Sequence, residues 1–564
     1  MAHTTLVHPV ARASWLSAFV LRRRDAVRAL TVPRALLVAA ITAFSVFYVV
    51  HLSMLHDRFW TTGYDLGIFD QATWLVAHGK TFITIRGLSF WGHHVNPGLV
   101  LFAPFYWLGA GPRFLDGAMV LAYAAGAFPV FRIARHHLQN EWIALALATA
   151  YLLQTGGQWI LHETFHPEVL AIAPMLYAYL AMLEGRWRAY WVWLVFAMCW
   201  KEDIAITVAM LGVVLALRGN RKNGAITLVV GVAYYYFCTK VVLPHFTPAG
   251  PFYSEVLGNL GDTPFALAKT ALFHPTRFTD QFQAAHWYRY PRDLAQPYAF
   301  TSFFSWPGLL LAFPQVVLNL LTKHSYAWSI RWHYVAMPTV GFTIASIEGV
   351  ANLRRIFERL RGSHRQLAAS VIAAGAIAAV AVGIAAPDHL DTVFAIALGV
   401  GVVVATAVVW PRWLLEAIGL VVVSSAVVMS AMWAPLYGWA YNDPGVWPTT
   451  ITPHVRVLSE AVNLVPDDAV ISVSYNFSTH LAHREFVYEF PNPWRNSYWG
   501  VDQKLPDGRV VAWPAARDPR TIQWIAVDKG TLGADSLSLL KDVLASPEWV
   551  TVFDQENVVV AHRA

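Results

Sequence analysis

Apolar runs of membrane-spanning length recur along this chain, separated by short polar stretches, and they govern the reading of everything between them. The first covers residues 35–55, enough for the roughly 20 residues a helix needs to cross a bilayer. Others follow near 114–134, 142–160, 168–184, 189–201, 203–217 and 224–243, then 300–322 and 333–350, and finally 367–386, 391–410 and 412–434. The pattern predicts a mostly α fold, a polytopic transmembrane helix bundle of about 11–13 spans. Residues 97–110 are apolar but short and flanked by Pro and Gly, which predicts a re-entrant or interfacial piece. In residues 64–79, Leu66, Phe69, Ala72 and Leu75 recur at helical spacing and predict a short amphipathic helix along the membrane surface. Past Trp439 the pattern changes. Strand-like runs at 469–474, 486–490, 524–528, 549–553 and 558–561, with a helical run at 535–545, predict a small α/β domain. The expected organisation is a basic leader at 1–33, a transmembrane domain at 34–438 with its first loop at 56–113, and a C-terminal domain at 439–564.

Composition narrows the class further. The chain is 56% hydrophobic and only 13% charged, which excludes an ordinary soluble enzyme. Its net charge of +6 reflects basic clusters at residues 22–28 and 354–365, placed as the positive-inside rule expects. No basic face interleaved with aromatics exists for nucleic acid, so none is expected as a partner. Cys199 and Cys238 both lie in apolar runs, which argues against a disulfide framework. Loop charges put the N-terminus in the cytoplasm, and the first loop and C-terminal domain on the extracytoplasmic side.

Candidate chemistry gathers on that outer side. Asp65 and Asp70, in Tyr64-Asp65-Leu66-Gly67-Ile68-Phe69-Asp70-Gln71, emerge just after the first span, where a carboxylate is costly unless paired or functional. Asp65 reads as a general base for a hydroxyl nucleophile, or as the N-cap of the helix it precedes. His94 suits a phosphate or a metal. In Lys201-Glu202-Asp203 the charges either pair among themselves, or Lys201 faces a phosphate with Glu202 orienting it. Arg331-Trp332-His333-Tyr334 offers a second cation for the same task. His162-Glu163-Thr164-Phe165-His166 matches H-E-x-x-H, the pattern of zinc metalloproteases, although Pro167 argues against the continuous helix that motif needs.

Taken in order, the Tyr64–Gln71 segment, His94 before Asn96-Pro97, Phe165-His166-Pro167-Glu168, Lys201-Glu202-Asp203 and His333-Tyr334 resemble a known series. Val465-Pro466-Asp467-Asp468-Ala469-Val470 and His480-Leu481-Ala482-His483-Arg484 extend it. The series resembles a large bacterial family of predicted polytopic membrane proteins of uncharacterised function, itself similar to the GT-C glycosyltransferases. That resemblance implies an inverting transferase using a polyprenyl-phosphate sugar as donor. The acceptor would be a glycan, glycolipid or protein outside the bacterial inner membrane. It implies Asp65, and with it Asp70, as catalytic residues, and the residue chemistry adds His94, Lys201, Arg331, His333 and Tyr334 as phosphate- and donor-binding residues. His166, Glu168 and Glu202 would be supporting polar groups. The chain lacks a clean Asp-x-Asp, so no residue is assigned to a metal, and a divalent metal stays open as cofactor. A lipid transporter or flippase without covalent chemistry is the alternative function, with the zinc protease of His162, Glu163 and His166 behind it.

Overall fold

The computed structural model describes residues 31–247, 256–261, 264–360, 413–436, 443–498 and 518–564. The spans expected at 367–386 and 391–410, almost all of the basic leader, and the boundary at residue 439 lie outside the described residues.

Among the described residues, five helices are long and apolar enough to cross a membrane: Val32–Asp57, Pro112–Leu138, Arg221–Phe246, His333–Arg359 and Leu414–Trp433. Several other apolar runs become shorter helices, including Pro167–Leu183, Ile204–Leu217 and Trp306–Leu321. The run at 142–160 divides into Glu141–Leu153 and Thr155–His162. The first helix shows why these segments bundle. Leu37, Phe44, Tyr48, Leu52 and Leu55 fall on one stripe and are buried, while Leu36, Val38, Val46 and Val50 face outward. An outward stripe of aliphatic residues is what a lipid-facing surface requires.

Small residues bring neighbouring helices into close contact. A Cβ on Gly212 would lie 2.4 Å from the Leu228 nitrogen, and one on Gly231 would lie 2.6 Å from the Ala209 nitrogen. Helices Ile204–Leu217 and Arg221–Phe237 therefore pack backbone against backbone, as helices in lipid commonly do.

After the first helix comes the turn Gly63–Gly67, helix Ile68–Ala77, and a hairpin of strands β1 (Phe82–Ile83) and β2 (Leu88–Ser89). Leu66, Phe69, Ala72 and Leu75 are buried, as their spacing predicts. Asp70, Gln71 and Thr73 are buried too, so this helix is not a surface helix. The C-terminal domain covers its other side.

That domain is built on strands β3 (Ile471–Val473), β4 (Val487–Glu489), β5 (Trp524–Asp528), β6 (Trp549–Gln555) and β7 (Val558–Arg563). The sheet order is β4-β3-β5-β7-β6, with β3 parallel to β4 and β5, and β7 antiparallel to β5 and β6. Alternate residues serve two cores. Ala526, Val558 and Val560 join a core continuous with the bundle, while Ile525, Val527, Val559 and Ala561 pack with Leu540 and Val543 of helix Ala534–Leu544.

The docking is polar and specific. Gln71 Nε2 donates to Thr84 Oγ1 at 2.8 Å and to the Arg484 carbonyl at 3.3 Å, and Gln71 Oε1 accepts from the Ile85 N–H. Thr479 Oγ1 donates to the Thr62 carbonyl, and the Val487 N–H donates to Thr84 Oγ1. The geometry of the first loop is thus fixed from both sides.

Candidate functional site

Asp65 sits in the middle of the Gly63–Gly67 turn with φ 61° and ψ −93°. A non-glycine residue in that region costs on the order of 1–3 kcal/mol and persists only where its surroundings impose it. The turn packs closely on the C-terminal domain: a Cβ on Gly63 would overlap Glu489 Oε1 and lie 2.8 Å from the Ser478 Cβ. The capping role does not apply, because neither the turn nor helix Ile68–Ala77 has a side-chain cap bond. The Asp65 side chain keeps 29% exposure and faces His166, whose Nε2 is 3.4 Å from its Oδ1.

Three breaks in the bundle supply the rest. The first lies between Thr155–His162 and Ile172–Leu183, where Pro167 prevents continuation of the helix. Thr164 in this break has φ 75°, an outlier for a β-branched residue. The resulting bend brings Glu163, His166 and Glu168 inward. The second break, between Trp187–Met198 and Ile204–Leu217, carries Lys201-Glu202-Asp203. The third is the turn His333–Val335 that opens the helix His333–Arg359.

These groups interlock. The His333 N–H donates to Glu163 Oε2 at 2.7 Å, and His333 Nδ1 lies 3.1 Å from Glu163 Oε1. His166 Nε2 is 3.7 Å from Glu163 Oε1, and its ring stacks on that of His333 with centroids 4.1 Å apart. His333 Nε2 points toward Glu168 Oε1 at 3.7 Å, and Lys201 Nζ donates to the same Glu168 oxygen at 2.8 Å. His166 Nδ1 contacts the Thr164 carbonyl, which fixes the ring with Nε2 toward Asp65.

The electrostatics follow from these distances. Burial works to raise the Asp65 carboxyl, but the charge on His166, and then that on His333, brings it below its ordinary range. Burial disfavours the His166 imidazolium, yet Glu163, Asp65 and Glu168 lift its pKa to about 10. Burial also opposes the Lys201 ammonium; Glu168, Asp203 and Glu202 overcome this and raise it above the usual lysine range.

Not every residue singled out from sequence reaches this cluster. Asp70 is fully buried, and its Oδ1 accepts from the Tyr106 hydroxyl at 2.6 Å and meets His483 Nε2 at 3.1 Å. It secures the C-terminal domain rather than facing Asp65. Glu202 binds His94 Nδ1 at 2.8 Å and accepts from the Val95 N–H, so His94 is a partner of Glu202 and not an open phosphate ligand. Lys201, 11% exposed, is committed to Glu168. Arg331 is exposed, lies 4.8 Å over the Trp159 ring, and forms no ion pair among the described residues. Tyr334 stacks against His333 and Tyr326.

The H-E-x-x-H match does not form a two-histidine zinc site. His162 Nε2 contacts the Val446 carbonyl and its ring packs against Trp447, away from His166. Sequence reasoning placed Glu163 only in the protease alternative, while its partner is His333, 170 residues on. It also gave no role to Asp116, which is buried close to His166, Asp70 and the Phe165 backbone. A lone carboxylate inside an apolar run was the available signal. The sequence assigns no metal ligand, yet one ligand atom from each of Glu163, His166 and His333 lies within 4.8 Å of the others.

No curated protein matches the chain. Among solved structures, it is similar to ArnT from Cupriavidus metallidurans in the apo state, at 13% identity and TM-score 0.49, covering 94% of this chain and 98% of that one. It is also similar to the same organism's ArnT bound to undecaprenyl phosphate, at 14% identity and TM-score 0.46, covering 93% and 98%. Residues 55–386, more than half of the chain, match the family described as "Predicted membrane protein (DUF2079)". The site-bearing loop, the three helix breaks and the apolar helices around them all fall in that stretch, and the chain belongs to the DUF2079 family of membrane proteins.

Proposed function

We propose that this protein is a GT-C-like membrane glycosyltransferase that moves a sugar from a polyprenyl-phosphate donor to an acceptor hydroxyl outside the bacterial inner membrane, with inversion. The observation that carries the reading is Asp65: an ionised, part-exposed carboxylate, strained into position, capping no helix, and backed by His166. The acceptor hydroxyl oxygen attacks the anomeric carbon while its proton passes to an Asp65 oxygen. The bond from that carbon to the phosphate oxygen breaks, and polyprenyl phosphate leaves. A carboxylate held below its ordinary pKa accepts the proton late, once bond formation has acidified the hydroxyl.

Arg331 is the cation assigned to the leaving phosphate, since its guanidinium is exposed, forms no ion pair among the described residues, and has a fork that suits phosphate. Exposed Tyr64, beside Asp65, and Trp332, beside Arg331, give flat faces on which a sugar ring can stack. The outward aliphatic helix faces suit the polyprenyl tail.

Cryo-EM of the purified protein with a polyprenyl phosphate tests the reading. Phosphate density at Arg331, opening toward Asp65, is expected. Lipid density elsewhere would overturn it and favour a lipid transporter.

A further inference from the structure

A ring of imidazoles and carboxylates can be an ion-pair network or a metal site, and the two differ in what the outward nitrogen and oxygen atoms leave unsatisfied. His166 is 97% buried at its side chain, and its Nε2 makes only long contacts, 3.4 Å to Asp65 Oδ1 and 3.7 Å to Glu163 Oε1, with no well-formed hydrogen bond among the described residues. A buried ring nitrogen with only long contacts is poorly satisfied. Its other nitrogen, Nδ1, is taken up by the Thr164 carbonyl, so a neutral ring would carry its N–H there and turn a lone pair toward Glu163 and Asp65. His333 is arranged in the mirror sense: Nδ1 faces Glu163, and Nε2 faces the Glu168 carboxylate, which Lys201 holds. Histidines that bind metals usually donate their second nitrogen to a carbonyl or carboxylate, as both of these can.

The two distances from Glu163 agree with an ion. Ligand atoms around a tetrahedral zinc at about 2.0–2.1 Å stand about 3.3 Å apart. Glu163 Oε1 lies 3.1 Å from His333 Nδ1 and 3.7 Å from His166 Nε2, and all three residues meet within 4.8 Å. Two imidazoles and one carboxylate favour zinc or another late first-row ion over magnesium or calcium, which prefer oxygen.

We propose that Glu163, His166 and His333 bind one zinc-type divalent ion, with the fourth coordination position open on the side of Asp65. Three protein ligands and one open position are the arrangement of a catalytic rather than a structural zinc. Binding does not depend on the transferase reading; the ion's role does. If that reading holds, an ion there lies beside Asp65, on the face where substrate enters.

The test uses untagged, full-length protein in detergent, stripped with a chelator and titrated with zinc alone, with metal content and calorimetry as readouts. One zinc per chain is expected. Glu163→Gln and His166→Ala should each weaken it by roughly 100-fold or more, and Glu168→Gln by about 10–100-fold through loss of the His333 orientation. His162→Ala, which removes the other histidine of the H-E-x-x-H match, should retain one zinc. Should an alanine variant fail to fold, His333→Cys with cobalt serves instead: a thiolate-to-cobalt absorption band places residue 333 in the coordination sphere. Absence of stoichiometric zinc in the wild type, loss of zinc with His162→Ala, or no thiolate band with His333→Cys overturns the site. Zinc uptake without sugar transfer would leave the metal site standing and overturn the transferase; transfer by a protein that takes up no zinc would do the reverse.

Discussion

Replacing Lys201 by Met isolates the interaction that fixes one wall of the site. Lys201 Nζ bonds Glu168 Oε1 at 2.8 Å, with side-chain exposures of 11% and 7%. Removing one member of such a pair leaves the other charge buried, a change that costs about 3–5 kcal/mol. His333 Nε2, 3.7 Å from the same Glu168 oxygen, offers partial compensation, which favours the lower end, about 3 kcal/mol. An unfolding entropy of about 2.1 cal/mol/K per residue over 564 residues gives roughly 1.2 kcal/mol/K, so the melting midpoint should fall by about 2–3 °C. The decisive comparison is a cycle. Glu168→Gln alone strands the ammonium near Asp203, whereas Lys201→Met with Glu168→Gln removes both charges and should return to within about 1 kcal/mol of wild type. Thermal unfolding of the four purified proteins in one detergent gives the result. If Lys201→Met melts with wild type, or if the two losses simply add, the pair is not a buried, coupled ion pair and the account of this wall is wrong.

Three further outcomes follow from the docking of the C-terminal domain. Gly63→Ala pushes a methyl into Glu489 and Ser478 and should destabilise by about 1–3 kcal/mol, seen as a lower melting midpoint and faster proteolysis of the C-terminal domain. Asp70→Ala strands the Tyr106 hydroxyl and His483, and its cost should appear in stability, about 2–3 kcal/mol, rather than in turnover per folded molecule. Glu489 is lifted by burial from 4.5 to about 7, against the opposing effects of Ser478 and Arg86. Its raised pKa gives a contribution present below about pH 4.5 and lost as pH climbs through about 7, worth about 3 kcal/mol. Glu489→Gln should therefore match wild type near pH 4 and melt higher near pH 8, in thermal scans across pH. Equal pH profiles would refute the assignment.

Much of the architecture was readable from residue pattern. The five strands of the C-terminal sheet fall where β-branched and aromatic runs predicted them, because alternate residues there serve two cores. Asp65, His166, Glu168 and His333 do converge, since polar residues at helix breaks have few places to go in an apolar bundle. Pairings across long sequence separations were not legible. Nothing local marks Asp70 as the partner of His483, 413 residues away, or His94 as the partner of Glu202. A local motif also misled: H-E-x-x-H assumes a continuous helix, and the break at Thr164 and Pro167 turns its two histidines apart.

The central claim is that Asp65 is the base of a sugar transfer from a polyprenyl phosphate. It is tested most directly by reconstituting wild type and Asp65→Asn in liposomes with a panel of radiolabelled polyprenyl-phosphate sugars and envelope acceptors. Asn keeps the turn geometry and removes only the charge, so the variant should melt within about 1 kcal/mol of wild type. The account predicts label transfer by wild type and a loss of about 100- to 10,000-fold in Asp65→Asn. Full transfer by a folded Asp65→Asn protein would contradict it.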